Sequence, residues 1–290
     1  MHSKLKKILY VMGIAAIFTS TSVFAFHFPE DEDTEFGVSA SRSNLVSDGL
    51  QIPLAEEDGK IPTLNQTGFM TPDQNPYNLS FIDFAATRKY PVLDIGAAYG
   101  LTTLPALYKG AQVIANDIDP RHLLLLREQA EQESRKRLFL NKRKFPNETE
   151  FPNNSIGAIL LCRVAHFLSG EDMDQAITKM TRWLVPGGRI FVVTMSPYHH
   201  LLTELLPGYL GKAEKNIAWP GVINNMHEIA PHLKTQIPNF LHVMDHQSLG
   251  KAFERHGLKI LEESLFDYTR PKAKKSDGKG YYGIIVEKKN

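Results

Sequence analysis

The chain has 290 residues, 42% hydrophobic and 22% charged, with a net charge of +1. That length and apolar content bound it to one sizeable core, and the near-neutral balance excludes the broad basic face that bulk nucleic-acid binding needs. Cys162 is the only cysteine, so an intramolecular disulfide and a multi-cysteine metal cluster are excluded as well.

The N-terminus reads as an export signal. Lys4, Lys6 and Lys7 form a positive n-region, and Ile8 to Phe18 is an apolar h-region of about eleven residues, short for a bilayer span. Val23 and Ala25 fit a cleavage site after Ala25, which makes residues 1–25 the signal and leaves no later membrane span. The expected location is therefore periplasmic or secreted, with a membrane-anchored or cytoplasmic protein as the alternative. Residues 26–75 carry the acidic run Glu30 to Asp33 and Glu35, then Ser, Asn, Gly and Pro without clear periodicity. They read as a linker or an arm lying on the domain.

From Pro76 the pattern becomes regular. A helix is expected over Leu79–Lys89 and a buried strand over Tyr90–Ile95. A second helix spans Leu101–Lys109, capped near Thr102 or Thr103 so that Pro105 falls in its first turn. Gln112–Asn116 is the next strand. Asp119–Pro120 opens a helix running to about Arg135, since Asp caps free N–H groups and Pro fits the first helical position. Leu138–Lys142 and Ile156–Cys162 are strands. Ser169 and Asp172 form a capping box for a helix whose apolar face is Met173, Ile177, Met180 and Leu184. Val185–Gly188 ends it, and Arg189–Met195 is a strand. Ser196–Asn239 is too long for a simple connection and reads as an inserted lid. Gln247–Arg255 is a helix ended by Gly257, and Leu258–Leu265 and Tyr281–Glu287 are the last strands. Their short link demands an antiparallel pair. The sum is an α/β fold: a mostly parallel sheet with helices on both faces, closed by a C-terminal antiparallel hairpin.

The chemistry concentrates in Val92-Leu93-Asp94-Ile95-Gly96-Ala97-Ala98-Tyr99-Gly100, between a strand and a helix. Gly96 permits a tight turn and close approach of a ligand, and Gly100 does the same where free helical N–H groups face outward. Asp94 can hold a cationic amino group. Asp117, at the tip of the neighbouring strand, can accept two ribose hydroxyls. The loop departs from G-x-G-x-x-G, and no phosphate-binding G-x-x-x-x-G-K-[ST] is present, which argues against a nicotinamide enzyme and excludes a P-loop.

Val92–Gly100 resembles motif I of the class I S-adenosylmethionine-dependent methyltransferases, and Val113–Pro120 resembles their motif II. Phe151–Leu160, Val164–Leu168 and Leu184–Ile190 resemble the approach to the fourth strand, the segment after it, and the L-x-P-G-G-x-L turn. The resemblance covers roughly residues 75 to 290 with the motifs in order. It implies a Rossmann-like, seven-stranded sheet over 76–290 with the lid at 196–239, and S-adenosylmethionine as cofactor. Asp94, Gly96 and Gly100 would then contact the cofactor's methionine part, with Ala98 between them in the loop. Asp117 would hold the ribose, Ile118 would lie on the adenine, and Cys162 and Arg163 would border the methyl group through their backbone. Three departures stand out. Ala98 replaces the middle glycine, which is tolerable at negative φ. Gly157 replaces an aspartate. No acid meets the adenine amino group, where Lys144 or Phe145 falls instead.

A sulfonium methyl is already activated, so the protein mainly aligns a nucleophile and removes a proton where needed. His166, Tyr198, His199 and His200 are the candidate bases or substrate clamps; the plain alternative for His166 is a histidine packed under the lid. Tyr198-His199-His200 is not expected to bind metal, because adjacent side chains point apart and no carboxylate has ligand spacing. The leading expectation is methyl transfer to a small molecule under the lid, with a protein acceptor as the variant. The alternative is a catalytically inactive protein that uses the fold to bind a ligand or partner.

Overall fold

The computed structural model describes residues 34–268 and 275–289. The expected signal over 1–25 and part of the loop before the last strand lie outside the described residues.

The parallel heart of the sheet is β4 (Val92–Ile95), β5 (Val113–Asn116), β6 (Leu138–Asn141), β7 (Ile156–Cys162) and β8 (Leu184–Met195). β11 (Lys259–Phe266) and β12 (Tyr281–Glu287) form the expected hairpin, with β12 antiparallel to β8. The seven expected strands gain an eighth, because β1 (Val38–Ser39) pairs antiparallel with β6. The order is β1-β6-β5-β4-β7-β8-β12-β11. Connections run one way from β4 to β5 and the other way to β7, so the strand order reverses beside β4. Crevices at the carboxyl ends of strands form at such reversals.

Alternation along each strand fills both faces. Val92, Val113, Ala158, Leu160, Phe191 and Val193 join one core cluster with Tyr77, Phe81, Leu107 and Leu123. Those side chains come from α1 (Pro76–Ala85), α2 (Thr103–Tyr108) and α3 (Pro120–Gln129). Leu93, Ile114, Ile159, Leu161, Ile190 and Val192 face the opposite way, toward Met173, Ile177, Met180 and Trp183 of α4 (Gly170–Trp183).

Helix boundaries follow the local chemistry. α1 begins at Pro76, earlier than expected, because the Asn75 side chain accepts from Asn78 N–H and caps it. Asp119 caps α3 with Pro120 behind it, but α3 stops at Gln129 rather than Arg135, where Ala130 turns extended and a 3-10 turn follows. The Ser169–Asp172 capping box is present. Leu184 leaves α4 directly for β8, and a register shift between Ile156 and Ala158 of the facing strand absorbs the Pro-Gly-Gly segment.

Residues 34–75 form an arm laid on the domain rather than a free linker. The buried Arg127 guanidinium donates to the carbonyls of Ala40, Arg42 and Leu45, binding the arm to α3. Further along it, β2 (Ile61–Pro62) and β3 (Phe69–Met70) pair with each other. The 196–239 segment holds a 3-10 turn at His200–Leu205, then α5 (Leu206–Glu214), β9 (Val222–Ile223) and α6 (Met226–Ile229). β9 pairs with β10 (Leu241–His242), so the inserted unit reaches slightly past its expected end. Leu202, Tyr209, Ile223, Met226 and Leu241 give it a small core of its own. In place of one helix over 247–255, a π turn at His246–Gly250 leads into α7 (Lys251–Arg255).

Candidate cofactor and acceptor cavity

A cavity of about 610 Å³ opens at the carboxyl ends of β4, β5 and β7, roofed by the arm and the inserted unit. That volume lies within the usual range for small-molecule sites.

One wall is the loop after β4. Gly96 has φ +71°, and a Cβ there would stand 2.3 Å from Val164 Cγ2. Gly100 has φ +86°, and its Cβ would stand 2.8 Å from Leu126 Cγ. Both positions therefore require glycine on conformational and steric grounds. Ala98, tolerable in the loop at negative φ, has φ +44° instead. The left-handed region costs an L-residue about 1 kcal/mol or more, and the bond from Ala98 N–H to Asp117 Oδ2, at 2.9 Å, holds the loop in it.

Asp94 is buried and accepts the Thr103 hydroxyl at 2.6 Å. Burial pushes its carboxyl up to about 6, aided by the nearby Asp117 charge. Asp117 is also buried. Its Oδ1 accepts from Asp119 N–H at 2.9 Å and from His122 Nδ1 at 3.1 Å. The His122 proton belongs on Nδ1, because Nε2 accepts the arm's Leu64 N–H at 3.0 Å. A carboxylate offers about four lone-pair sites, and three are taken by Ala98, Asp119 and His122. Ile118 lines the cavity with 55% of its surface exposed, an apolar platform awaiting a flat ring. Lys144 and Phe145 line the same end.

The other wall begins at Cys162, where β7 ends. Arg163 has φ +61°, and its N–H donates to Val193 O at 2.7 Å. His166 sits in a 3-10 turn after it, and His199 reaches in from the inserted unit. Burial pushes both imidazoles down to about 3, His166 with help from the Arg163 charge and His199 with help from His200. His199 and His200 do not point apart as expected; their rings stack at 4.3 Å and 31°. Tyr198 lies outside this wall. It faces Asp245, whose charge raises its phenol after burial does. Among the described residues no three His, Cys, Asp or Glu side chains gather as a metal site.

Sequence reasoning missed Thr103, His122, Tyr268, Tyr281 and the arm residues 58–73, all of which line or brace the cavity. Tyr268, Tyr281 and the arm residues lie far along the chain from the loop they face, whereas Thr103 and His122 lie near Asp94 and Asp117 and are set by side-chain contacts that spacing does not reveal.

Residues 92–188 match the methyltransferase domain family. No curated protein matches the chain. Among solved structures, an S-adenosylmethionine-dependent methyltransferase from Mesorhizobium loti is 16% identical. The match covers 73% of this chain and 96% of that one, with TM-score 0.54. A SAM-dependent methyltransferase from Methanosarcina mazei is 15% identical over 75% and 99%, with TM-score 0.52. Geranyl diphosphate C-methyltransferase from Streptomyces coelicolor A3(2), solved with Mg2+, geranyl diphosphate and S-adenosyl-L-homocysteine, is 12% identical over 73% and 76%, also with TM-score 0.52. Strand order and matched segment agree that residues 92–188 lie at the core of a methyltransferase-type α/β fold.

Proposed function

We propose that the chain transfers the methyl group of S-adenosylmethionine to a small molecule enclosed by the 196–239 unit. One observation carries this reading. A single cavity joins a wall made by Gly96, Asp117 and Ile118 to a second wall bearing Cys162, Arg163, His166 and His199. The residues present fit the cofactor. Gly96 lines the cavity at positive φ, Asp94 brings a buried carboxylate to it that would hold the amino group, and the exposed Ile118 would lie against the adenine. The cofactor supplies an electrophilic methyl on sulfur. The chain's own residues orient the two molecules, and the arm and inserted unit exclude water. The uncharged imidazoles of His166 and His199 can accept a proton from the acceptor, and burial makes them weak bases.

One observation favours a second reading, a methyltransferase-like binding protein without turnover: three lone-pair sites of Asp117 are already engaged. Calorimetric titration with S-adenosylmethionine and S-adenosylhomocysteine decides the matter. Micromolar binding that Asp117→Asn weakens by about tenfold or more supports the enzyme. Absence of binding by folded protein overturns it. Export through residues 1–25 belongs to this reading and is checked by N-terminal sequencing of the mature protein.

A further inference from the structure

The cavity changes character along its length. At the sheet edge it runs from Asp117 and Ile118, which follow β5, past Gly96 after β4 and Cys162 at the end of β7, to Met195 at the end of β8 and Tyr281 at the start of β12. Neighbouring strands stand about 4.8 Å apart, so Met195 lies three spacings, roughly 14 Å, from the Asp117 end. Toward that far end the wall is apolar. Phe167, Met195, Leu201, Leu233 and Ile237 line the cavity, and each is half-buried. They pack on the small core of the inserted unit and leave their remaining surface open. The arm reaches the same patch, since a Cβ at Gly68 would stand 3.4 Å from Phe167 Cζ. The ionic groups around His199 already have partners within the chain. Lys60 Nζ pairs with Asp58 at 2.6 Å, Asp267 accepts from the N–H groups of Ser276, Gly278 and Gly280, and His200 Nδ1 stands 3.2 Å from Ser276 Oγ. What a ligand would complete at this end is the half-covered apolar surface, whose removal from water drives association.

We propose that the methyl acceptor presents an uncharged hydrocarbon group to the inserted unit, and that Phe167, Leu201, Leu233 and Ile237 bind it. This deepens the reading above and rests on it. The residues assigned to the cofactor lie at the ends of β4 and β5, so the two ligands occupy different parts of one cavity and do not compete. The hydrocarbon group is the handle, and the atom that takes the methyl lies toward Cys162 and His166, between the two ends. Selection is by size and polarity. Each added methylene covers more of the patch, whereas a polar atom placed against it loses water and gains no partner. Met195, unbranched and polarizable, lets the patch adjust to chains or rings of different shape.

The probes are the straight-chain alcohols from butanol to octanol, and octanediol with a hydroxyl at each end, titrated with and without S-adenosylhomocysteine. Each added methylene is expected to tighten binding about fourfold. Octanediol, which brings a hydroxyl to the patch in either orientation, is expected to bind about tenfold more weakly than octanol. Ile237→Gln and Leu233→Gln are each expected to weaken octanol by about tenfold and to leave S-adenosylhomocysteine binding unchanged. Leu205→Gln, in a separate groove of the same unit, is expected to leave octanol binding unchanged. A series without slope overturns the proposal, as does octanediol binding as tightly as octanol. So does a slope that Leu205→Gln abolishes while Ile237→Gln and Leu233→Gln keep it. Displacement of octanol by S-adenosylhomocysteine assigns the patch to the cofactor and also overturns it. The wild-type series and the displacement need no substitution, so they decide even where a variant fails to fold. Octanol binding that depends on Ile237, in a folded protein that never binds S-adenosylhomocysteine, upholds the apolar site and defeats the proposed function alone.

Discussion

The two walls of the cavity are finished to different degrees. On the cofactor wall, Asp94 and Asp117 are buried acids whose oxygens accept bonds from Thr103, Ala98, Asp119 and His122. On the opposite wall, Arg163 Nε and Nη1 and His166 Nδ1 have no hydrogen-bond partner among the described residues. The first wall is set by backbone and by short-range contacts around two neighbouring strand ends. The second is assembled from β7, the inserted unit and the terminal hairpin, segments far apart in the chain. A wall built from contiguous strand ends is fixed by local signals, and one built from distant segments by tertiary packing.

The walls also respond oppositely to pH. Asp94 binds its proton more tightly in the folded chain, so its ionisation destabilises the fold as pH rises from about 4 to about 6. His166 and His199 bind theirs less tightly, so the fold loses stability as pH falls from about 6.5 toward about 3.

The comparison breaks most visibly at Asp94. Asp94→Asn is expected to weaken S-adenosylhomocysteine binding by about 100-fold, through loss of the carboxylate facing the amino group. The same change should raise the melting temperature of the empty protein near about pH 8, because a desolvated charge disappears. Unchanged affinity would detach Asp94 from the cofactor. Next, acidification from about pH 7 to about pH 5 should cost about 2 kcal/mol for each of His166 and His199. Urea unfolding of His166→Gln at the two pH values should show a correspondingly smaller loss; an equal loss would mean that His166 titrates normally. The smallest effect is expected at Ala98. Ala98→Gly removes the left-handed penalty and should stabilise the protein by about 1 kcal/mol in the same assay. A destabilising result would show that the alanine is unstrained.

What the sequence made legible follows this division. The strands from β4 to β8 and the terminal hairpin could be read because apolar alternation and capping residues such as Asp119 and Ser169 are local signals. The loop Gly96–Gly100, Asp117 and Ile118 were legible for the same reason, being contiguous with those strands. The strain at Ala98 was not legible, since it depends on the Asp117 oxygen holding the loop from another strand. His122 could not be read as bracing Asp117, because its tautomer is fixed by Leu64, far away in the arm. Tyr198 lies beside two histidines in sequence but turns toward Asp245, a choice made by tertiary packing. The arm was expected either as linker or as docked; Arg127, buried under three of its carbonyls, is the reason it docks.

Asp94 as the charged contact of the cofactor is tested by the affinity of the intact chain for S-adenosylhomocysteine, followed by calorimetry across roughly pH 5 to 8. Micromolar binding is expected at the upper end, with a loss approaching about tenfold per unit below about pH 6, as Asp94 takes up its proton. Folded protein that shows no binding at any pH would mean that these residues hold no such cofactor.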